Sequence, residues 1–596
     1  MGPATPGRTA IDSFRGPDDA ARQDSAQVPS RPPTARMRPG GARSHRPEEF
    51  SPAMLDIHRA RRSLLLTVAA CAVVAGCAAD PQGNPSGRPD HPRAGGVLHL
   101  AQIEPSTLDP ATVYDSYDAA VVNQIHAGLL RHDRNFSVRP DVATSWTIDH
   151  DGLEYRFELR RGVRFHDGTP LTAADVVHSV ERVFRIDPES TILARQYLGV
   201  IAGTDAFARG EADSIEGLEI LGPHALAIRL ERPYAPFLNV LASEFARILP
   251  RPESGGDPVD GSVGCGPFAL RSWTPGERLV LDRFTDYHGP GAHLDGLVIE
   301  TPPPPVLPRA IRGFIEGDVH VVELTNTAIE AVAAVRDARV HQRRELSLTF
   351  LAFAVDRPPF DDPDVRRAVA HAIDVASLSG IDEHRRPAAT GVLPPGFPGY
   401  EPLDKCLSFA PARAASLLAA AGHPRGGGLP RVTIAIPRRG EGFETLALDL
   451  CHQIEASGLD VEPLLVDWND FDRGLRSNAY HAFLLTWMPD LPDADSFFYP
   501  LFHTGGSVNH LHYSDTELDA WLDTARVELD RTRRTRLYRR AEQRVLEDAA
   551  IVPLHFNSTV FAARPSVQDF QVTSMGGANL PLRSVWLDPS AGRGAR

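Results

Sequence analysis

Apolar residues recur along the chain with two different periods, and each period predicts a different element. In residues 118–130 the apolar side chains fall on one helical face, which predicts a helix. They are Val121, Val122, Ile125 and Leu129. Residues 155–159 alternate apolar and polar side chains, as a half-buried strand does, and residues 162–165 are expected to pair with them. His166-Asp167-Gly168 is interpreted as the following turn rather than a catalytic pair, because Asp-Gly favours tight turns.

Capping residues mark the start of two further helices. Thr172 and Asp175 stand at the N-cap and N3 positions of a helix that is predicted to reach Val183. Asp362, followed at once by a proline, begins a second helix that should run to Ile373. At both positions a side chain can accept hydrogen bonds from the free backbone N–H groups of the first helical turn.

The later part of the chain alternates strands and helices. Residues 432–436 read as a strand, 444–457 as a helix that Gly458 ends, and 464–467 as a second strand. A strand, a helix and a strand in this order predict a parallel pair with a right-handed crossover. The fold class expected is therefore α/β.

The first 94 residues read as an export and tethering segment. Residues 54–63 are basic, and the following apolar stretch, 64–76, is too short to span a bilayer. This is the pattern of a secretory signal peptide. The segment ends in Val-Ala-Gly-Cys, which resembles a bacterial lipobox and makes Cys77 the expected lipidation site. Residues 77–94 would then be a Pro/Gly-rich tether.

Alternatives to this interpretation stay open. Residues 1–53 lack apolar periodicity, so they are either a mis-assigned translation start or a disordered cytoplasmic extension. The apolar stretch could be an ordinary helix that ends in Cys77 by chance. Arg61-Arg62 also resembles a twin-arginine signal, so the export route is open.

Composition excludes several classes of protein. The chain has 596 residues, of which 42% are hydrophobic and 23% charged, so it is globular and long enough for at least two folding units. The formal net charge of −15 argues against a general nucleic-acid binder. Cys265, Cys406 and Cys451 remain for the mature protein, as one disulfide with one thiol or as three thiols. Their spacing fits no metal site.

Other charged patterns are interpreted as structural. His510 and His512 could face a metal from one strand, but no third ligand lies nearby in sequence. Arg366 and Arg367 are expected on a solvated helix face. Neither a Gly-x-Ser-x-Gly elbow nor a His-Glu-x-x-His motif occurs, so we expect no catalytic residues, metal or cofactor.

Six blocks of sequence follow one another in order over most of the mature chain. The most specific block is 159–177, LRRGVRFHDGTPLTAADVV. The others are 95–98 with 108–110, 128–131 with 140–143 and Trp146, 264–268, 360–374, and 487–490 with 500–502. Together they resemble one family, the oligopeptide/dipeptide/nickel-binding solute-binding proteins of ABC importers (family 5).

The resemblance implies a two-lobed Venus-flytrap fold of the periplasmic-binding-protein type with an additional inserted domain. Lobe I is expected to be discontinuous, and the two chain crossings between the lobes would form a hinge. The expected limits are 95–131, 263–355 and 555–592 for lobe I, 132–262 for the inserted domain and 356–554 for lobe II.

The resemblance also implies ligand-binding residues. In peptide-binding members, the Asp of a Trp-x-x-Asp stretch binds the ligand's α-ammonium; here that Asp is Asp490, with Trp487 as an apolar wall. Arg438 or Arg439 would bind a ligand carboxylate, and the sequence does not separate the two. A loop or capping Asp and a solvated Arg are the alternatives.

The function expected from this resemblance is a receptor without catalytic activity. It would be lipid-anchored outside the cytoplasm and deliver di- or oligopeptides to a permease and ATPase, as a monomer that binds no nucleic acid. Alternatives are the same fold binding a nickel chelate, an oligosaccharide or another small solute, a secreted hydrolase, or a signalling receptor.

Overall fold

The structure is a computed structural model, and it describes most of the chain after residue 90. The described residues are 91–252, 261–324, 328–333, 335–380, 386–397, 400–403, 407–438 and 441–591. The predicted signal segment, Cys77, Cys406 and Arg439 lie outside them.

The elements of the described residues alternate strands and helices along the chain. The strands are β1 Val97–Ala101, β2 Leu130–His132, β3 Val138–Pro140, β4 Ala143–Ile148, β5 Glu154–Leu159, β6 Leu218–Gly222, β7 Ala225–Arg229, β8 Phe268–Thr274, β9 Arg278–Arg283, β10 Gly296–Glu300, β11 Val321–Glu323, β12 Arg339–Phe353, β13 Val432–Pro437, β14 Val461–Val466, β15 Ala482–Trp487, β16 Ile551–Ala563, β17 Val567–Gln568 and β18 Trp586–Leu587. The α-helices are α1 Ser116–Ile125, α2 Ala173–Arg185, α3 Ile192–Leu198, α4 Thr204–Ala208, α5 Phe237–Leu241, α6 Val306–Glu316, α7 Ala328–Ala333, α8 Pro363–Ala372, α9 Val375–Gly380, α10 Pro411–Ala420, α11 Glu441–Ala456, α12 Trp468–Arg476, α13 Asp495–Phe502, α14 Thr516–Val527 and α15 Arg531–Glu547. Short 3-10 helices are Pro110–Thr112, Glu244–Ala246, Pro424–Gly426, Gly577–Asn579 and Leu582–Ser584.

One mixed sheet of ten strands runs through the structure. Its order is β14-β13-β15-β12-β16-β11-β1-β10-β9-β8. The long strands β12 and β16 pair antiparallel at its centre and join the two halves. Their register shifts between Arg344 and Leu348, so residues 345–347 lie outside the regular ladder.

A second sheet lies within residues 143–229. Its four strands are antiparallel in the order β4-β5-β7-β6. The inward side chains of β5, among them Tyr155 and Phe157, are 2% and 1% exposed. They pack in a core with α2, α3 and α5, which positions α3 for the contact described below.

The predicted helix starts are confirmed. In α2, the Thr172 backbone N–H donates to Asp175 Oδ2 over 2.7 Å, and both halves of the capping box are present. In α8, Asp362 accepts from the Asp364 N–H over 2.8 Å. The predicted parallel pairing of the two later strands, β13 and β14, is also confirmed.

One predicted helix is shorter than expected, and one predicted strand is wrong. The helix at 118–130 ends at Ile125, because His126 is extended and its ring Nε2 bonds to the carbonyls of Leu108 and Gly261 instead. Residues 162–165 form no strand and contribute only an isolated bridge from Arg164 to Pro170. The partners of β5 are β4 and β7, and β7 lies about 70 residues later in the chain.

The expectation that Arg366 faces solvent is also wrong. Arg366 is 5% exposed, and its Nη1 donates to the Phe360 carbonyl over 2.7 Å while Nε donates to the Asp548 carbonyl over 3.0 Å. The side chain ties α8 to the end of α15, because its planar donors satisfy carbonyls left free at chain turns.

The two cysteines in the described ranges are buried free thiols. Cys265 is 0% exposed and Cys451 is 2% exposed. Burial raises the pKa of both thiols to about 12, so neither is a reactive thiolate at neutral pH.

Candidate functional site

The segment 487–490 leaves the central sheet at the carboxyl end of β15. This strand lies between β12 and β13, and Trp487 is opposite Leu348 of β12. The indole Nε1 of Trp487 donates to the Ser496 carbonyl over 2.8 Å, which fixes the ring against the start of α13. Trp487 is partly buried and packs on the core of this half of the sheet.

Asp490 is held by a residue from a distant part of the chain. The hydroxyl of Tyr197, in α3, donates to Asp490 Oδ2 over 2.8 Å. The same hydroxyl lies 3.2 Å from Ser496 Oγ, and Ser496 Oγ accepts from the Leu491 N–H at 3.2 Å. Tyr197 therefore orients the Asp490 carboxylate, and the loop that follows Asp490 orients the Tyr197 hydroxyl through Ser496.

The surroundings of Asp490 are electrostatically unfavourable for its negative charge. Burial raises the pKa of Asp490 to about 6, the Tyr197 hydrogen bond opposes that rise, and the nearby Glu244 carboxylate adds to it. Burial also raises the pKa of Glu244. In the described part of the chain, no arginine or histidine lies within 4.0 Å of the Asp490 carboxylate.

The neighbouring carboxylates are neutralised by the protein itself. Asp493 accepts two hydrogen bonds from Arg534, at 2.8 and 2.6 Å. Asp495 lies 3.3 Å from Arg526 and accepts from Tyr234 and Tyr538 at 3.1 Å each. Within this run of three acidic residues, Asp490 alone is left with only a phenol donor.

A small cavity borders the same segment. It has a volume of ≈ 100 Å³ and is lined by the carboxyl end of β1, by α1, by β11 and by Met488. Polar groups enter it from Tyr117, Glu323 and Glu345. Residues from both halves of the central sheet therefore meet beside Met488.

Comparison with known proteins identifies the family of this chain. Residues 137–509 match the model of bacterial extracellular solute-binding proteins, family 5 (middle). This chain belongs to that family. Its members are substrate-binding proteins of transporters and act outside the cytoplasm.

Curated relatives of this family 5 protein match along most of their length. The "Probable di/tripeptide-binding protein 5" of Pseudomonas aeruginosa (strain UCBPP-PA14) is 27% identical over 465 residues, covering 74% of this chain and 86% of the relative. "Heme-binding protein A" of Haemophilus influenzae is 24% identical over 554 residues, covering 86% and 97%. Relatives at similar identity thus carry different ligand names.

A solved structure shows the same fold. The ABC transporter-associated periplasmic binding protein DppA of Helicobacter pylori, in complex with the peptide STSA, superposes with a TM-score of 0.70 at 25% identity. The match covers 83% of this chain and 98% of that protein. The family 5 protein therefore has the mixed α/β, two-lobed periplasmic-binding-protein fold expected from the sequence.

The other predicted binding residue that the structure describes lies on the same sheet edge. Arg438 follows β13, the parallel neighbour of β15. Its Nε is 3.7 Å from Asp467, and its side chain is 51% exposed. Arg439 falls outside the described residues, so carboxylate binding by either arginine stays a prediction.

Sequence reasoning missed Tyr197, Ser496 and Glu244. Tyr197 lies in a helix with no motif of its own, 293 residues before Asp490. Glu244 lies in a 3-10 turn, where an acidic residue carries no specific signal. No sequence pattern singles out Tyr197 or Glu244, because only the tertiary fold places them near Asp490.

The described ranges contain no group of three or more His, Cys, Asp or Glu residues placed to hold a metal ion. No helix within them is long and apolar enough to cross a membrane.

Proposed function

We propose that this family 5 protein is the substrate-binding receptor of an ABC importer for short peptides, and that Asp490 binds the peptide α-ammonium. Trp487 forms an apolar wall beside it, and Arg438 or Arg439 binds the peptide carboxylate. The receptor binds and delivers its ligand and has no catalytic role. It acts as a monomer beside its permease and ATPase.

One observation carries this proposal: the Asp490 carboxylate has no cationic partner among the residues that the structure describes, although Asp493 and Asp495 nearby each have an arginine. A carboxylate withdrawn from water is costly unless a cation pairs with it. An ammonium ion that donates to Asp490 would supply this charge and one or more hydrogen bonds. Glu244 adds negative potential and so favours the same ligand charge.

The relatives support a peptide as the ligand. One curated relative is named for di- and tripeptides, and the H. pylori neighbour was solved with the peptide STSA. A peptide provides the ammonium that the site lacks. A ligand without a cationic group would leave Asp490 unpaired.

Calorimetry with matched peptides tests the assignment. A dipeptide with a free N-terminus should bind the purified protein, and its N-acetylated form should bind at least about 30-fold more weakly, because the loss of one partner of an enclosed charge pair costs ~2–5 kcal/mol. Equal affinity for the two forms would refute the role of Asp490. Binding of neither form, together with binding of another solute, would refute the peptide assignment itself.

The second candidate function is the binding of a different solute by the same fold. The relative named for heme supports testing this function. A nickel chelate and an oligosaccharide belong in the same screen. A ligand present at 100 times its Kd stabilises the protein by about 2.7 kcal/mol, so a thermal-shift series would separate these solutes from peptides. A response to sugars or chelates alone would favour this second candidate.

The proposed lobes follow the halves of the central sheet. Lobe I comprises 95–131, 263–355 and 555–592, lobe II comprises 356–554, and 132–262 is the inserted domain. In this arrangement Asp490 belongs to lobe II and Tyr197 to the inserted domain. The peptide would be enclosed in the cleft between lobes I and II when the two lobes close about the hinge.

Membrane attachment is proposed at Cys77, with 54–76 as the signal peptide and 77–94 as the tether. Cys77→Ser should leave the protein unprocessed or release it from the membrane fraction, because the lipid would be missing. Removing 1–53 should not change its location. Fractionation followed by immunoblotting checks both variants, and a processed Cys77→Ser protein that stays on the membrane would refute the anchor.

A further inference from the structure

A second cavity lies apart from Asp490, and it is lined by four arginines. Its volume is ≈ 420 Å³, and all of its lining residues come from 123–141, 247–287 and 573–584. It thus lies between the end of α1, the β2–β3 hairpin and the C-terminal segment. We call it the arginine cavity, after Arg131, Arg134, Arg247 and Arg583.

Arg247 is a buried cation without a contacting carboxylate. It is 8% exposed, and burial lowers its pKa. Nε and Nη2 donate to Asn123 Oδ1 at 3.1 and 2.8 Å, and Nη1 donates to the Leu130 carbonyl at 3.2 Å. These neutral acceptors use three of its five N–H donors. No carboxylate of a described residue lies within 4.0 Å of it.

Arg131 and Arg583 both act on Tyr287, another lining residue. The charges of both arginines lower the pKa of Tyr287, against the larger rise caused by burial and by Asp141. Arg583 Nη1 donates to the Tyr287 hydroxyl over 3.4 Å. In the part of the chain that the structure describes, neither arginine has a carboxylate within 4.0 Å.

The remaining charged groups of the cavity are already paired. Arg134 contacts Asp569 at 3.1 Å, and Asp133 contacts Arg139 at 2.8 Å. Asp141 is hydrogen-bonded to His288 at 2.9 Å. The cavity is therefore lined by three arginines without a contacting carboxylate and by a single carboxylate, Asp141, without a contacting arginine. This excess of positive charge lies in a protein whose formal net charge is −15.

We propose that the arginine cavity binds a small oxyanion with two or more negative charges, phosphate or a polycarboxylate. Guanidinium groups bind both classes through paired N–H donors with matching oxygen spacing. The anion would pair with Arg131, Arg247 and Arg583, and the volume leaves room for a molecule larger than phosphate. The site is separate from the peptide site, because no residue between 356 and 554 lines it.

Isothermal titration of the purified protein with inorganic phosphate and, separately, with citrate tests this proposal in low-salt buffer without other polyvalent anions. At least one probe should bind at one site with a Kd below about 1 mM. Tighter binding of phosphate would indicate a phosphate site, and tighter binding of citrate a polycarboxylate site. Failure of both probes to bind at concentrations up to about 10 mM would overturn the proposal.

Two partly exposed arginines give the decisive variant. Arg131→Gln combined with Arg583→Gln should weaken binding of the tighter-binding probe at least about tenfold. This is the lower end of the effect of losing one charge-assisted hydrogen bond. Arg271→Gln, which removes an exposed arginine paired with Asp282, should change nothing. Unchanged affinity in the double variant would place the anion elsewhere and overturn the proposal. Asp490→Asn should bind the anion normally, so failure here is distinguishable from failure of the peptide site.

Discussion

The Tyr197 hydroxyl donates a 2.8 Å hydrogen bond to Asp490 Oδ2, across 293 residues of sequence. The Tyr197 ring is stacked on Phe245, with centroids 5.4 Å apart and planes 7° from parallel. Both rings are buried, at 4% and 2% exposure. The phenol is thus fixed by packing before any ligand binds, and it sets the direction in which the carboxylate presents its free oxygen.

Asp490→Asn should weaken the binding of a dipeptide with a free N-terminus by roughly 30- to several-thousand-fold, because the variant keeps the shape of the side chain and removes its charge. Calorimetry measures the affinity. Asp151→Asn is the matched control, since it removes a carboxylate that is 74% exposed in the turn between β4 and β5. Equal affinity for wild type and Asp490→Asn would show that Asp490 is only a loop residue.

Peptide affinity should fall as the pH drops through about 6. The ligand-free pKa of Asp490 is raised to about 6, and only the ionised carboxylate pairs with an ammonium. A free peptide amine has a pKa of ~8 and stays charged through this range. The loss of affinity at low pH, the acid limb of the profile, therefore comes from protonation of the protein and not of the peptide. Calorimetric titrations at several pH values should give a limiting loss of about tenfold per pH unit below the pKa. A flat profile between about pH 5 and about pH 7 would contradict this assignment.

The stability of the ligand-free protein should also depend on the ionisation of Asp490. Peptide affinity rises with pH through this ionisation, whereas folding stability should fall. The folded-state pKa of Asp490 lies above the ordinary value of 3.8, so the folded protein holds the proton more tightly than the unfolded chain. The favourable contribution of the protonated group is therefore lost as the pH rises from about 4 to about 6. Asp490→Asn should be at least as stable as wild type at pH 7 in urea unfolding, and lower stability there would contradict the cost of burial.

Tyr197→Phe should shift the acid limb of peptide binding to higher pH. The Tyr197 hydrogen bond lowers the pKa of Asp490, so its removal lets burial raise that pKa further. Affinity at neutral pH should drop by about tenfold, as expected for one hydrogen bond to a charged group. The shifted profile separates this role from simple loss of packing, which would lower affinity equally at every pH.

Arg534→Gln should destabilise the protein by about 3–5 kcal/mol, since it leaves the buried Asp493 carboxylate unpaired. The Arg534 and Asp493 side chains are 15% and 8% exposed. Arg539→Gln is the control on the same helix: its partner Glu401 is 51% exposed, so about 0–1 kcal/mol should be lost. Urea unfolding of both variants measures the difference, and equal losses would refute the role of burial.

Local sequence signals predicted local structure well in this chain. The capping box of α2 and the proline after Asp362 act within one helical turn, so the neighbouring residues suffice to predict them. The pairing of 155–159 with 162–165 was wrong because strand partners are selected by the whole sheet. The burial of Arg366 depends on a carbonyl of Asp548, 182 residues away, which no local pattern contains.

The candidate site was only half predictable for the same reason. Trp487 and Asp490 belong to a contiguous block and were found by its resemblance to a family. Tyr197 and Glu244 act on Asp490 through space, from segments that carry no motif. The observation that supports the proposed function is that no described arginine or histidine contacts the Asp490 carboxylate. This depends on which segments the fold brings together, so no sequence pattern reveals it.

The position of β16 determines when the central sheet can be completed. This strand is formed by residues 551–563, yet it lies between β12 and β11, near the middle of the sheet. A growing chain that ends before residue 551 holds two separate groups of strands, β14-β13-β15-β12 and β11-β1-β10-β9-β8. Their common hydrogen-bonded edge is supplied only after almost the entire polypeptide has been synthesised. Folding of the central sheet is therefore completed late, because its two groups of strands are joined only when β16 becomes available.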